Sequence, residues 1–217
     1  VNGPGPGKLL SQCHYRGVRE VEALRYIDSV PRAGRLAIQR SPAVPALLVI
    51  GSLDEWETRA VARLVHAAFR GSKEVCIKMK SHPYTPFEEV LGAADIDWRR
   101  EGYELVDGAI ADCLQQATAV LVGSSAVAVE AAALGKVVIV PKFADTMVMS
   151  PLEGTTAADL KTVRSPEELR QCWQGILQQP ESYSGVAGAA TEAAAYWHLD
   201  PELPRWTALL REAGALT

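Results

Sequence analysis

The sequence has little of what would declare a function outright. Positive charge is not in excess: 22 Lys and Arg stand against 26 Asp and Glu, a formal net charge of −4. Nothing draws the chain as a whole to DNA, RNA or anionic lipid, so an anion must be held by a local site. Cysteine is scarce, and Cys13, Cys76, Cys113 and Cys172 lie far apart with no CxxC pair. That spacing excludes a disulfide framework or zinc knuckle and fits a reducing cytoplasm. Cys76, in an apolar run, and Cys113, on an expected helix, read as small buried thiols. His14, His66 and His198 are equally scattered, so no metal is expected. No apolar run reaches the ~20 residues that cross a bilayer, and nothing at the start reads as a signal peptide. GxSxG, the P-loop pattern and GxGxxG are all missing. Their absence argues against a hydrolase elbow, a P-loop and a standard dinucleotide fold.

What is present is an ordinary globular composition, 48% hydrophobic and 22% charged over 217 residues, enough for one sizeable α/β domain. The chain opens on Val1 rather than Met, and VNGPGPGK reads as a cut end; the Gly/Pro content to about Leu10 predicts disorder. Residues 17–29 carry Val18, Val21, Ala23, Leu24 and Ile27 at helical spacing. RAGRLAIQRSPAVP then reads as a linker. Residues 1–45 are accordingly expected to be a tail, short helix and linker, and residues 46–217 a compact domain with C-terminal helices.

Within that domain strand and helix signals alternate. LLVI (47–50) predicts a buried strand, and Asp54 caps a helix over 55–69. Further strands are expected at 74–79, 103–106, 119–122, 137–140 and 160–163. Helices are expected at 110–116, at 126–134 with Gly135 closing it, after Ser165-Pro166, and over the Ala-rich 187–195. Such alternation predicts a Rossmann-like parallel sheet flanked by helices. Ligands bind such sheets beyond the strands' carboxyl ends, near the order reversal. The informative loops are therefore 51–54, 78–85, 107–108, 123–126 and 141 onward.

Two of these loops are chemically distinctive. In Lys78-Met79-Lys80-Ser81-His82-Pro83, Pro83 holds His82 in extended geometry at a strand end. There the imidazole can donate to a phosphate oxygen and stabilise a departing phosphate. Gly123-Ser124-Ser125 precedes a helix: the glycine admits close backbone approach, and the serines bring hydroxyls and N–H groups. Glu130, further along that helix, is placed to accept from ribose hydroxyls. Gly51-Ser52 adds a further loop where backbone meets ligand, and Lys78, Lys80 and Lys142 offer positive charge. Singly, each has a plainer reading: a His-Pro turn, a serine cap, an exposed glutamate. Met147 and Met149 lie in a loop that can approach a ligand or pack as a lid. Trp197 and Trp206 read as packing for a terminal helix.

The order KMKSHP, then LVGSSAVAVEAAALGKVVIVP, resembles the donor domain of GT-B glycosyltransferases that use CMP-activated acidic sugars. These are bacterial sialyltransferases, polysialyltransferases and Kdo transferases of surface polysaccharides such as lipopolysaccharide and capsule. EALRY and HLDPELPRWTALL are similar to bacterial surface-carbohydrate biosynthesis proteins, and the likeness runs from about Gly17 to the end. It implies the C-terminal half of a GT-B architecture. In it His82-Pro83 and Ser124-Ser125 contact the CMP phosphate, and the nucleotide site comprises Gly51, Ser52, Lys80, His82, Pro83, Gly123, Ser124, Ser125 and Glu130. His82 would stabilise the leaving group, while the general base and the glycan-binding surface belong to the absent half. Asp107-Gly108 superficially resembles the motif that carries that base, but it lies between the phosphate motifs and is given no catalytic role. The implied substrate is CMP-Kdo or CMP-sialic acid, with no metal or other cofactor, in the cytoplasm or at the inner membrane face. A UDP- or GDP-sugar transferase, a nucleotide-sugar epimerase, or a non-catalytic partner-binding module are the alternatives.

Overall fold

A computed structural model describes residues 1–29, 44–145, 147–152, 160–178 and 186–216. At its centre is a six-stranded parallel sheet in the order β3-β2-β1-β4-β5-β6. The strands are β1 (Ala46–Ile50), β2 (Cys76–Lys80), β3 (Glu104–Leu105), β4 (Ala119–Leu121), β5 (Val137–Pro141) and β6 (Leu160–Val163). β1, β4 and β5 are buried at every position, as continuous apolar runs covered on both faces should be. The register sets Leu48 of β1 between Lys78 of β2 and Val120 of β4.

Alternate residues face opposite layers. Leu47, Val49, Ile77 and Met79 pack in one core with Val61, Leu64 and Val65 of α2 (Glu55–Phe69) and Leu169 and Trp173 of α7 (Pro166–Gln178). Leu48, Ile50, Val120 and Val122 pack in the other with Ala128, Val129 and Ala132 of α6 (Val127–Ala133) and Ala193 of α8 (Val186–Trp197). α2 therefore leaves β1 towards one face and α6 leaves β4 towards the other. The two strands are neighbours, so the sheet's order reverses between them, the position at whose carboxyl ends such sheets bind ligands. α3 (Phe87–Ala93), α4 (Trp98–Glu101) and α5 (Ile110–Gln115) complete the links towards β4.

The N-terminal segment departs from expectation. Instead of disorder, α1 (Pro4–Gln12) forms, because proline at a helix's first turn lacks only a hydrogen bond the helix does not make. Instead of a helix over 17–29, only a 3-10 turn, Leu24–Ser29, is present. The apolar spacing there serves another purpose: Val21 bridges Asn2, and Val21, Ala23 and Tyr26 are buried. Ala23 N–H donates to the Trp197 carbonyl at 3.1 Å, and the Tyr26 and Trp197 rings meet edge to face at 5.7 Å. Glu22, 0% exposed, accepts from Arg205 N–H at 2.9 Å and Trp206 N–H at 3.0 Å. Its carboxylate thus caps α9 (Pro204–Glu212), while Trp206 Nε1–H donates to the Glu22 carbonyl. The two terminal tryptophans do pack the end of the chain, against this N-terminal segment. Most of the expected linker (residues 32–45), namely 32–43, lies outside the described residues.

Candidate functional site

The carboxyl ends of β2, β1 and β4 stand side by side and carry the three loops singled out by sequence. Gly51 joins the first two. Its N–H donates to the Lys80 carbonyl at 2.9 Å, and a Cβ there would lie 3.0 Å from His82 N and 3.3 Å from the Phe87 ring. The missing side chain lets the His82 loop lie against β1. Ser52 is 6% exposed and largely consumed by the fold. Its N–H donates to Thr58 Oγ1 at 2.9 Å, its carbonyl accepts from the Thr58 and Thr85 hydroxyls, and its Oγ accepts from Asp54 N–H. The Asp54 carboxylate caps α2 through Trp56 and Glu57 N–H, as expected of an N-cap.

His82 is half-buried in a turn closed by Thr85 N–H donating to its carbonyl at 3.0 Å. Its Nδ1 accepts from Tyr84 N–H at 3.3 Å. A neutral ring accepting at Nδ1 carries its proton on Nε2, so Nε2–H is the donor left for a ligand. Pro83 is exposed and contributes geometry only. Lys80 is half-buried at the end of β2. Lys78 is not beside it in function: its Nζ donates to Gln116 at 2.8 Å and lies 3.9 Å from Glu104. It is drawn towards the sheet's other end, where a groove of about 640 Å³ runs past Ala46, Cys76 and Tyr103.

The third loop holds a feature the sequence reading missed. Glu57 of α2 is 2% exposed, and its Oε1 accepts from Ser124 N–H at 2.8 Å while Oε2 accepts from Ser124 Oγ–H at 2.6 Å. A Cβ on Gly123 would fall 2.1 Å from Glu57 Oε1, so the carboxylate fills the space that the glycine vacates. Ser124 Oγ in turn accepts from Met149 N–H at 2.9 Å. Ser125 Oγ accepts from Val127 N–H at 3.4 Å. Among the described residues, Ser125 N–H and Ala126 N–H donate to nothing. After Gly123, then, the donors of Ser124 are held by Glu57, while the backbone donors of Ser125 and Ala126 are open. A signal existed: Glu57 shares the helix stripe of Val61, Leu64 and Val65, a charged residue on a buried face.

Glu130 sits on α6, half-buried, near Arg25 and Tyr26 of the 3-10 turn; burial raises its carboxyl pKa and Arg25 pulls it back. Asp107 and Gly108 are exposed beyond β3 at the sheet's outer edge. The loops at these strand ends and the first turn of α2 expose apolar side chains: Leu53, Trp56 (74%), Tyr84 (82%), Met147 and Met149. Among the described residues no group of three or more His, Cys, Asp or Glu could hold a metal ion, and no helix is long and apolar enough to cross a membrane.

No protein-family model and no curated protein matches the sequence. Solved structures match in fold. HepE from Anabaena, in complex with UDP and glucose, aligns with a TM-score of 0.57 at 13% identity, over 80% of this chain and 49% of that one. MnaA from S. aureus with UDP gives 0.59 at 16%, over 96% and 58%. The spinosyn rhamnosyltransferase SpnG with spinosyn aglycone gives 0.56 at 15%, over 92% and 53%. The chain thus spans about half the length of these structures. At such identities the likeness defines the fold alone, a Rossmann-like parallel sheet flanked by helices.

Proposed function

We propose that this chain is the C-terminal, nucleotide-binding half of a GT-B enzyme acting on a UDP-linked sugar, as a glycosyltransferase or a nucleotide-sugar epimerase. The observation that carries the reading is the placement of the His82 and Gly123–Ser125 loops on either side of Gly51-Ser52, at the sheet's order reversal. Solved structures of the same fold hold UDP. His82 Nε2–H, Ser125 N–H and Ala126 N–H serve the diphosphate, with Lys80 adding charge. Glu130 serves the ribose. As the leaving group departs, His82 stabilises the charge that builds on its phosphate. The acceptor surface and the general base belong to the other half of the enzyme. No divalent ion is required for binding.

The narrower CMP-Kdo or CMP-sialic acid reading draws its support from the paired His82-Pro83 and Ser124-Ser125 motifs. The partner-binding reading draws its support from the exposed rim of Leu53, Trp56, Tyr84, Met147 and Met149. A thermal-shift and calorimetric panel of UDP, GDP and CMP separates the three. UDP is expected to give the largest shift, unchanged by EDTA. A response to CMP alone selects the acidic-sugar donor. Silence to every nucleotide leaves the partner-binding module.

A further inference from the structure

We infer that Glu57 sets the affinity of this site by competing with the ligand's phosphate for Ser124; the inference rests on the nucleotide-binding reading. A carboxylate and a phosphate ask for the same donors at the same distances. Here the donors of the loop's first serine are already held by the protein's own carboxylate, at 2.8 Å and 2.6 Å. Gly123 is what allows so close a seat, since any side chain there would collide with Oε1. Glu57 has no ion pair with a Lys or Arg among the described residues. A buried charge without a cation is expensive unless hydrogen bonds and dipoles compensate it. Ser124 supplies the bonds, and the first turn of α2, where Glu57 stands, supplies a favourable dipole end.

An arriving phosphate has two courses. It takes Ser124 N–H and Oγ–H from Glu57, leaving a carboxylate unsatisfied. Or it settles on Ser125 and Ala126 N–H with the Glu57 charge beside it. Both courses penalise a ligand in proportion to its negative charge. A purely architectural role for Glu57 predicts the reverse: removal would slacken the loop and weaken every ligand alike.

Glu57→Gln separates these outcomes. The amide keeps the shape, its carbonyl still accepts from Ser124 N–H, and its NH₂ leaves the serine hydroxyl proton to the ligand. By calorimetry at fixed ionic strength, the variant is expected to bind UDP about tenfold more tightly, UMP by a smaller factor, and uridine as the wild type does. Unchanged or weaker UDP binding, or an equal gain for uridine, overturns the inference. Should Gln not fold, Glu57→Asp draws the oxygens back from Ser124 while keeping the charge. A smaller gain of the same sign is expected, and a loss counts against the idea. If the wild type itself binds no nucleotide, the functional reading fails first and this inference falls with it.

Discussion

Gly123→Ala tests the carboxylate's seat directly. The added Cβ would stand 2.1 Å from Glu57 Oε1, 2.9 Å from its Cδ and 3.2 Å from Val148 Cγ1. A relaxed carbon contact needs about 3.5 Å, so the carboxylate must retreat by roughly an ångström and give up both bonds to Ser124. Charge-assisted hydrogen bonds contribute about 1.5–3 kcal/mol each, and overpacking adds about 1–3 kcal/mol. Partial relaxation recovers some of this, so a loss of about 3 kcal/mol is expected. For a chain of this size that lowers the melting temperature by roughly 6–12 °C. The cause is one identified collision, so the double variant Glu57→Ala/Gly123→Ala supplies the control. With the carboxylate gone, its collision with the methyl is removed and Val148 Cγ1 remains at 3.2 Å, so the double variant should be more stable than the sum of the single losses by about 2 kcal/mol. Thermal and urea melts of the four proteins measure the cycle. Additive losses, or a Gly123→Ala protein within about 0.5 kcal/mol of wild type, would refute the reasoning.

Three further outcomes are expected. His82→Ala removes the Nε2 donor and should weaken UDP about tenfold or more, given about 1.5–3 kcal/mol for a bond to a charged group. The apo melting temperature should barely move, because the ring's one hydrogen bond is within its own turn; calorimetry with unchanged affinity removes His82 from the site. Glu130 has its pKa raised by burial, so it disfavours the folded state once ionised: stability is full below the ordinary carboxylate range and falls as pH rises through the raised folded value. Glu130→Gln should therefore melt higher than wild type at neutral pH, with the gain vanishing in acid, yet bind UDP less well; a lower melting temperature at neutral pH contradicts this. Glu22→Ala strips two buried acceptors from the first turn of α9 and should cost about 2–3 kcal/mol. Hydrogen exchange should quicken in α9 first, and unaltered protection there would deny that Glu22 is its cap.

What the sequence could announce was what neighbouring residues decide together. β1, β4 and β5 are unbroken apolar runs, and Asp54 caps α2 as its position promised, so the sheet was readable. α3 and α4 span seven and four residues, too short for a helical period to stand out. The N-terminal segment misled for the opposite reason. Its glycines and prolines argued for disorder, whereas the pairing of Val21 with Asn2 and the burial of Glu22 and Ala23 against the chain's far end decide its shape. The same limit explains the site. Gly123-Ser124-Ser125 names a set of donors, but which are vacant depends on a carboxylate 67 positions earlier. Local chemistry thus named hydrogen-bond donors at two strand ends. Only the fold revealed that those of Ser124 are already held by Glu57.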